Sequence, residues 1–536
     1  MKRVKRIFGI ALAITMAMGS IAGCGTTSQE ESKDSVAESE NTAVSTEENT
    51  GKVTFPLEET KTFDLMVKVN STLLSEIPTF AYVNERCNIN FNMDEVMTSA
   101  GDATEKIGLS LASGDYPDAY LEFVLPKEDI DKYGGEGVLI PLEDLIRQYA
   151  PNLTGLLDER DLWQYLEAPD GHIYELPSLV KGAETAAGMH IWLNTEWLDR
   201  LGLSMPTSLD ELHSVFMAFK EQDANGNGDP NDEIPVSVSD GISGLKYFLP
   251  YFGVNMDMIS MLAVKDGQLI YVPTSETYKS FLQFFATLYQ EGLLDENSFT
   301  QNGEQLAAVG SSGEVIGCYN ALASFLVVER DIDEHYETLT PFEGQFYPIN
   351  TGIEHGGMVI TEKCENPEIL VAWADQWYSE EGGILYWLGL EGDSYLKNED
   401  GTWSWNTDGP YGSDIGEIRN KATIKYQTIM PAVQPDFWYT GLTDPDESYL
   451  ITQRSKLVDH GAVPLPAMNY SEGDSQMIAS LKADLDTYIN QYGAQVITGE
   501  LDLESSWQEY IETMNAMGAE ELTDIYRTAY EKATAN

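Results

Sequence analysis

Residues 25–53 are dominated by Ser, Thr, Glu, Asn and Asp and hold almost nothing to bury. No packed core can form there, so the stretch reads as a disordered tether and the folded body starts near Phe55. About 480 residues remain, too many for one hydrophobic core and comfortable for two lobes of ordinary size. Ten tryptophans and 28 tyrosines give such a body ample core and binding material.

Ahead of the tether, Lys2, Arg3, Lys5 and Arg6 precede an apolar run over 7–18 and the segment Ile21-Ala22-Gly23-Cys24. This is the layout of a secretory signal with a lipobox-like cleavage site. The run is about a dozen residues, short of the roughly 20 that span a bilayer. The expectation is a leader over 1–23, a lipidated Cys24 carrying more than one acyl chain, and a tether over 24–54 holding the protein outside the cytoplasmic membrane. Cys87, Cys318 and Cys364 are odd in number and far apart, which indicates neither a disulfide framework nor a CxxC site. They read as small buried apolar residues. The formal charge of −57 makes nucleic acid and anionic membrane surfaces poor partners and fits a solvated acidic surface.

Phe63-Asp64-Leu65-Met66-Val67-Lys68-Val69 reads as a first strand that feeds the polar loop Asn70-Ser71-Thr72. Further strands are expected at 119–123, 138–142 and 189–194. Helices are expected before Ser113, from Thr195, over 208–219 and over 278–289. This alternation of strand and helix implies an α/β fold. Trp373 and Trp377 lie four apart and share a helix face, which makes them core; Trp403 and Trp405 alternate as in a hairpin.

The loop over 223–235 packs oxygen donors at alternate positions around glycines, as calcium loops do. Asp223, Asn225 and Asn227 take the first, third and fifth places, and Gly228 takes the sixth, where the backbone must turn sharply. The exit differs from an EF-hand, because Ile234 holds the twelfth place and the carboxylates Asp232 and Glu233 arrive early. A metal-free Asn/Gly/Asp turn is the alternative. None of the six histidines has zinc-type spacing, and no Gly-x-Ser-x-Gly elbow, phosphate loop followed by Lys, or HExxH is present. The familiar enzyme signatures are therefore missing.

Asn194-Thr195-Glu196-Trp197-Leu198-Asp199-Arg200-Leu201-Gly202-Leu203, Pro206-Thr207-Ser208-Leu209-Asp210-Glu211-Leu212 and the calcium loop resemble extracellular solute-binding proteins of family 1. More narrowly, the chain resembles the long lipoproteins of multisugar ABC importers. Gly171-His172-Ile173-Tyr174-Glu175-Leu176-Pro177 and Leu288-Tyr289-Gln290-Glu291-Gly292-Leu293-Leu294-Asp295 add to the match, as do Cys364-Glu365-Asn366-Pro367-Glu368, Val496-Ile497-Thr498-Gly499 and Met517-Gly518-Ala519.

The resemblance implies a two-lobed periplasmic-binding-protein-like α/β fold of type II, maltose-binding-protein-like, with several hinge crossings. Residues 55–185 and 350–400 would form lobe 1, and 186–349 and 401–536 lobe 2. It implies a structural calcium ion on Asp223, Asn225, Asn227, Asp232 and Glu233, with one extra residue in the loop leaving Asp229 and Asn231 undecided. It also implies a binding role without catalysis: capture of an oligosaccharide by lobe closure and delivery to the transmembrane subunits of an ABC permease. Rival readings are a peptide or amino-acid-derivative receptor on the same fold, and a lipid-anchored glycoside hydrolase.

Sugars need flat aromatic platforms and polar groups for their hydroxyls. Tyr120, Glu122 and Phe123 end a strand of the first lobe, and Trp192, Phe252 and Tyr319 sit at strand ends or loops of the second. Trp387 and Trp438 are further loop aromatics. Each could equally be core packing, and at least two are expected to stack on ligand. His355-Gly356-Gly357 reads as a hinge turn that could contact ligand.

Overall fold

The computed structural model describes residues 52–97, 100–229, 231–441 and 445–535. The leader expected over 1–23, Cys24 and nearly all of the tether expected over 24–54 lie outside these residues, as does Pro230 in the loop over 223–235.

The strand Lys61–Val69 is buried on both faces. Phe63, Leu65, Val67 and Val69 enter one cluster and Met66 another. A strand with two covered faces belongs in a parallel sheet flanked by helices, and it pairs in parallel with Ile89–Met97 and Ala119–Leu121. The sheet has six strands in the order Ala432–Val433, Leu176–Leu179, Ile353–Ile360, Ala119–Leu121, Lys61–Val69, Ile89–Met97. Ile353–Ile360 runs antiparallel to both of its neighbours. Helices Ala100–Ser113 and Lys127–Gly135 cover one face through Ala103, Ile107, Leu111 and Ile130. Pro78–Cys87, Glu143–Tyr149, Pro151–Glu159 and Pro367–Asp375 cover the other through Phe80, Ile146, Leu153 and Trp373. Trp373 and Trp377 are both in this core with ring centroids 6.1 Å apart. Trp403–Trp405 forms a hairpin with Tyr395–Lys397, and Cys87, Cys318 and Cys364 are free and buried.

A second core surrounds an antiparallel sheet of Cys318–Ala321, His190–Asn194 and Tyr336–Thr338. Its helices start where the sequence supplies a cap. Ser208 accepts from the Glu211 N–H ahead of Leu209–Glu221, and Ser275 from the Tyr278 N–H ahead of Glu276–Gln290. Trp197, Phe216, Phe281 and Phe285 fill the centre, and the C-terminal helices add Leu485, Tyr492, Tyr510 and Leu522.

Two details differ from the sequence expectation. Val138–Leu142 is not a strand; only Leu139 bridges Thr361. Trp403, Trp405, Ile418 and Trp438, expected with the second lobe, pack in the first core. The reason is Ala432–Val433, which pairs in register with Ser178 and Leu179 and ties this stretch to the six-stranded sheet.

Residues 180–189 lead from Leu176–Leu179 into the second sheet, and residues 339–352 lead back into Ile353–Ile360. Where the chain returns, the pairing with Leu176–Leu179 shifts register between Glu354 and Met358. His355-Gly356-Gly357 is thus an irregularity within a strand, of the bulge type that re-aims a side chain. Gly356 has φ 74°, and a Cβ on it would sit 2.5 Å from the Phe123 carbonyl oxygen. Gly356→Ala is therefore expected to lower unfolding free energy by roughly 1–3 kcal/mol, read from urea melts; an unchanged midpoint would mean that the backbone absorbs the methyl group.

Candidate functional site

A cleft of about 1390 Å³ lies where the polypeptide crosses between the two cores. It exceeds the roughly 300–1,000 Å³ of most small-ligand pockets, so it has room for an extended molecule. One wall is the helix Lys127–Gly135 with Tyr165 and Asp170 beside it. The facing wall comprises Tyr247, the loop 256–260, and residues from 463–470 and the first turns of Glu472–Ile497, backed by Tyr526. The crossing segments contribute Thr185, Met189, Tyr347, Asn350 and His355 to the floor.

The floor is held by two polar arrangements. Glu175 is only 1 % exposed, accepts from His355 Nδ1 at 2.6 Å and from the Gly356 N–H at 2.6 Å. Burial alone would raise its pKa, but His355, the Gly356 N–H and Lys127 outweigh it and hold the carboxyl below the usual range. With Nδ1 occupied, His355 has Nε2 left for the cleft that its side chain lines. In the second arrangement Arg454 Nε donates to His190 Nε2 at 3.4 Å, which leaves Nδ1–H to donate to Tyr347 Oη at 2.9 Å. Tyr347 in turn donates to the Met189 carbonyl at 3.3 Å. Burial and the Arg454 charge push His190 down to about 3, so it stays neutral and keeps this tautomer.

The 256–260 loop is preset as well. Asp257 Oδ1 accepts from the Ser260 N–H and Oγ, each at 2.7 Å, and from the Ile259 N–H at 3.2 Å. Lys246 Nζ donates to the Met258 carbonyl at 3.0 Å. The result holds Ile259, 79 % exposed, at the cleft.

None of the seven ligand residues expected from sequence lines this cleft. Tyr120 is buried beneath the sheet against Phe123, its Oη paired with Ser110 Oγ. Glu122 gives one carboxylate oxygen to Lys68 and the other to the Ile429 N–H. Trp192 and Tyr319 are fully buried in one cluster, the Trp192 indole donating to the Ala321 carbonyl. Phe252 packs on Phe281 and Phe284. Trp387 and Trp438 are buried with centroids 4.9 Å apart, and Lys425 sits over the Trp387 ring. The six aromatic residues pack against their own neighbours, and Glu122 is ion-paired with Lys68. The tyrosines that do line the cleft, Tyr165, Tyr247, Tyr347, Tyr470 and Tyr526, come from five separate parts of the chain.

The loop over 223–235 links the five residues expected to hold calcium by hydrogen bonds within the loop. Glu233 Oε1 accepts from the Ala224 N–H at 2.8 Å, Asp223 Oδ2 from the Gly228 N–H at 3.0 Å, and Asp232 accepts from the amides of Asn225 and Asn227. Asp223 Oδ1 and Glu233 Oε2 are buried without a hydrogen-bond partner. Among the described residues no group of three or more His, Cys, Asp or Glu side chains is assembled to hold a metal; a cation here would need the two Asn oxygens as well.

No protein-family model matches the sequence. The chain is 28% identical over 554 aligned residues, 98% of each chain, to the fructooligosaccharide ABC transporter substrate-binding protein FusA of Streptococcus pneumoniae. It is 23% identical over 455 residues, 80% of this chain and 83% of the other, to the polygalacturonan/rhamnogalacturonan-binding protein YtcQ of Bacillus subtilis. Its structure matches that of an S. pneumoniae FusA EF-hand mutant in complex with fructo-nystose, with TM-score 0.68, 25% identity, and coverage of 89% of this chain and 100% of that one. The relatives it matches are thus substrate-binding proteins, FusA among them being that of an ABC transporter. The chain's fold is the two-lobed α/β fold of the solute-binding proteins.

Glu175→Gln is expected to cost about 1.5–3 kcal/mol of stability at pH 7, the worth of hydrogen bonds to a charged group. Because the native pKa lies below the unfolded value of about 4.3, the ionised group's contribution is present above that value and lost as pH falls through the native pKa. Urea melts at stepped pH should show the parent's advantage over the variant shrinking below about pH 4.3; an advantage that persists there would assign the effect to packing.

Proposed function

We propose that the protein is the extracellular, lipid-anchored binding component of an ABC importer, and that it captures an oligosaccharide in the cleft between its lobes. The observation that carries this reading is the large cleft at the chain crossings, whose lining combines Tyr165, Tyr247, Tyr470 and Tyr526 with polar groups such as Asn350, Gln476 and His355. Ring faces suit the apolar faces of sugars and the polar groups suit their hydroxyls. The similarity to FusA supports it along the whole chain. The names of FusA and YtcQ, one for a fructooligosaccharide and one for polygalacturonan, leave the charge of the sugar open.

In this reading the lobes close on the ligand about the segments 180–189 and 339–352, and the closed form docks on the permease. Ligand must favour the closed state by a few kcal/mol for closure to report occupancy. No bond is broken, so the cleft needs no acid–base pair. Among the described residues no helix is long and apolar enough to cross a membrane; attachment would fall to Cys24 and the tether.

Calorimetry against an oligosaccharide panel tests the reading. A binding sugar present at 100 times its Kd should stabilise the protein by about 2.7 kcal/mol and be recovered uncleaved. Tyr470→Ala should weaken that binding about two- to tenfold, the worth of one aromatic contact of roughly 0.5–1.5 kcal/mol. Binding of peptides alone, or cleavage of the glycan, would contradict it.

The loop over 223–235 is read as a structural calcium site held by Asp223, Asn225, Asn227, Asp232 and Glu233. The buried, partnerless Asp223 Oδ1 and Glu233 Oε2 support this, since hard oxygen donors without protons are what a calcium ion would satisfy. FusA has been solved as an EF-hand mutant, which accords with such a loop in a relative. When bound, the ion would neutralise the carboxylates and fix the loop below Leu209–Glu221. Chelation should lower the melting midpoint by several degrees, and Asp223→Asn with Glu233→Gln should remove that response; a midpoint indifferent to chelator would leave the loop a hydrogen-bonded turn.

A further inference from the structure

The net charge of the whole chain says little about the charge of its ligand, because a local group of arginines could overrule it. Among the described residues, no arginine lines the cleft. Arginine's planar fork is the side chain that matches carboxylates two bonds at a time, and it is over-represented where carboxylates are recognised in that way. The lining has three lysines, Lys127, Lys132 and Lys482. Two of them are committed: Lys127 Nζ lies 2.7 and 2.9 Å from the Asp131 carboxylate oxygens, and Lys482 Nζ lies 2.8 and 3.1 Å from those of Asp486. Lys246, just behind the 256–260 loop, is spent on the Met258 carbonyl, and burial and the Lys482 charge lower its pKa.

The acids outnumber these cations. Glu128, Asp129, Asp131 and Glu136 line the wall of the Lys127–Gly135 helix, with Asp170 next to them. Asp257 and Glu472 face the cleft from the other wall. Carboxylates therefore stand on both sides of any molecule in the cleft, and closing the lobes would bring them nearer to it. A chain of uronic acids would add one more negative charge per sugar to that field, with no guanidinium to take it up. Hydroxyls, in contrast, donate well to carboxylates, and rings stack on tyrosine without regard to charge.

We infer that this cleft takes uncharged oligosaccharides and rejects uronic-acid oligomers, a selection made by carboxylates on both walls and by the lack of any arginine. The inference rests on the sugar-binding reading above and narrows it to a substrate class. Because the seven wall carboxylates could gather calcium and bridge a polyuronate through it, the test includes a chelator.

Isothermal titration calorimetry of the purified protein would compare neutral oligosaccharides (fructans, galactans, mannans and glucans of three to six units) with oligogalacturonates and oligoalginates of the same length. Each is measured at low and high salt, with calcium and with EDTA. The expected result is a neutral ligand whose Kd moves less than about threefold with salt, and oligouronates at least a hundredfold weaker in both calcium and EDTA. An oligouronate that binds as tightly as any neutral sugar, with or without calcium, overturns this inference and leaves the sugar-binding reading standing. No binding by any saccharide overturns that reading and this inference with it. Glu128→Arg combined with Glu472→Arg, both at exposed positions, should raise oligouronate affinity at least tenfold at low salt, a gain that high salt reduces. No gain would contradict the role given to the wall carboxylates.

Discussion

The antiparallel pairing of Leu176–Leu179 with Ile353–Ile360 joins strands that lie far apart in sequence, and the rest of the molecule is arranged around it. The first strand leaves toward the second sheet at its C-terminal end, and the second returns from there at its N-terminal end. These two crossings therefore emerge at one end of the six-stranded sheet, beside the C-terminal ends of its parallel strands. That placement leaves open space between two cores that each bury their own aromatic residues. The register shift at His355-Gly356-Gly357 adds a second consequence. It seats a buried carboxylate, Glu175, under a histidine whose other face lines the cleft.

The rigidity of this floor has a simple electrostatic basis. Glu175 is charged in a site from which water is excluded, and such a group must be paired and hydrogen-bonded to persist. His190 solves the opposite problem by remaining neutral, and its tautomer is set by the arginine on one nitrogen and the tyrosine on the other. The two arrangements fix Tyr347 on the returning segment and His355 in the strand that follows it. Ligand-facing groups on the floor are thereby positioned before any ligand arrives, which reduces the ordering cost of binding.

Much of the fold was legible in the sequence. The Lys61–Val69 run, the serine-capped helices and the Trp373/Trp377 face all carry local signals of period or capping. The site was not legible in the same way. Trp192, Tyr319 and Tyr120 read as strand-end or loop aromatics in the sequence, but each lies within a strand and is fully buried. The cleft instead draws on residues 127–136, 247–260, 347–355 and 463–482, which no periodicity links. A loop such as Asp257-Met258-Ile259-Ser260 carried the one usable signal, an apolar residue held out to solvent by an aspartate-capped turn. Charge was illegible for another reason. The chain's −57 is a global sum, whereas selection depends on which cations are left unpaired within a few ångströms of the ligand.

The most direct test of the account is a crystal structure of the protein with a neutral oligosaccharide bound. The account predicts sugar density between the Lys127–Gly135 helix and the 256–260 loop, with a ring against at least one of Tyr165, Tyr247, Tyr470 and Tyr526 and a hydroxyl on His355 Nε2. Sugar density outside this cleft, for example against Trp387 and Trp438, with the cleft holding only water, would contradict it.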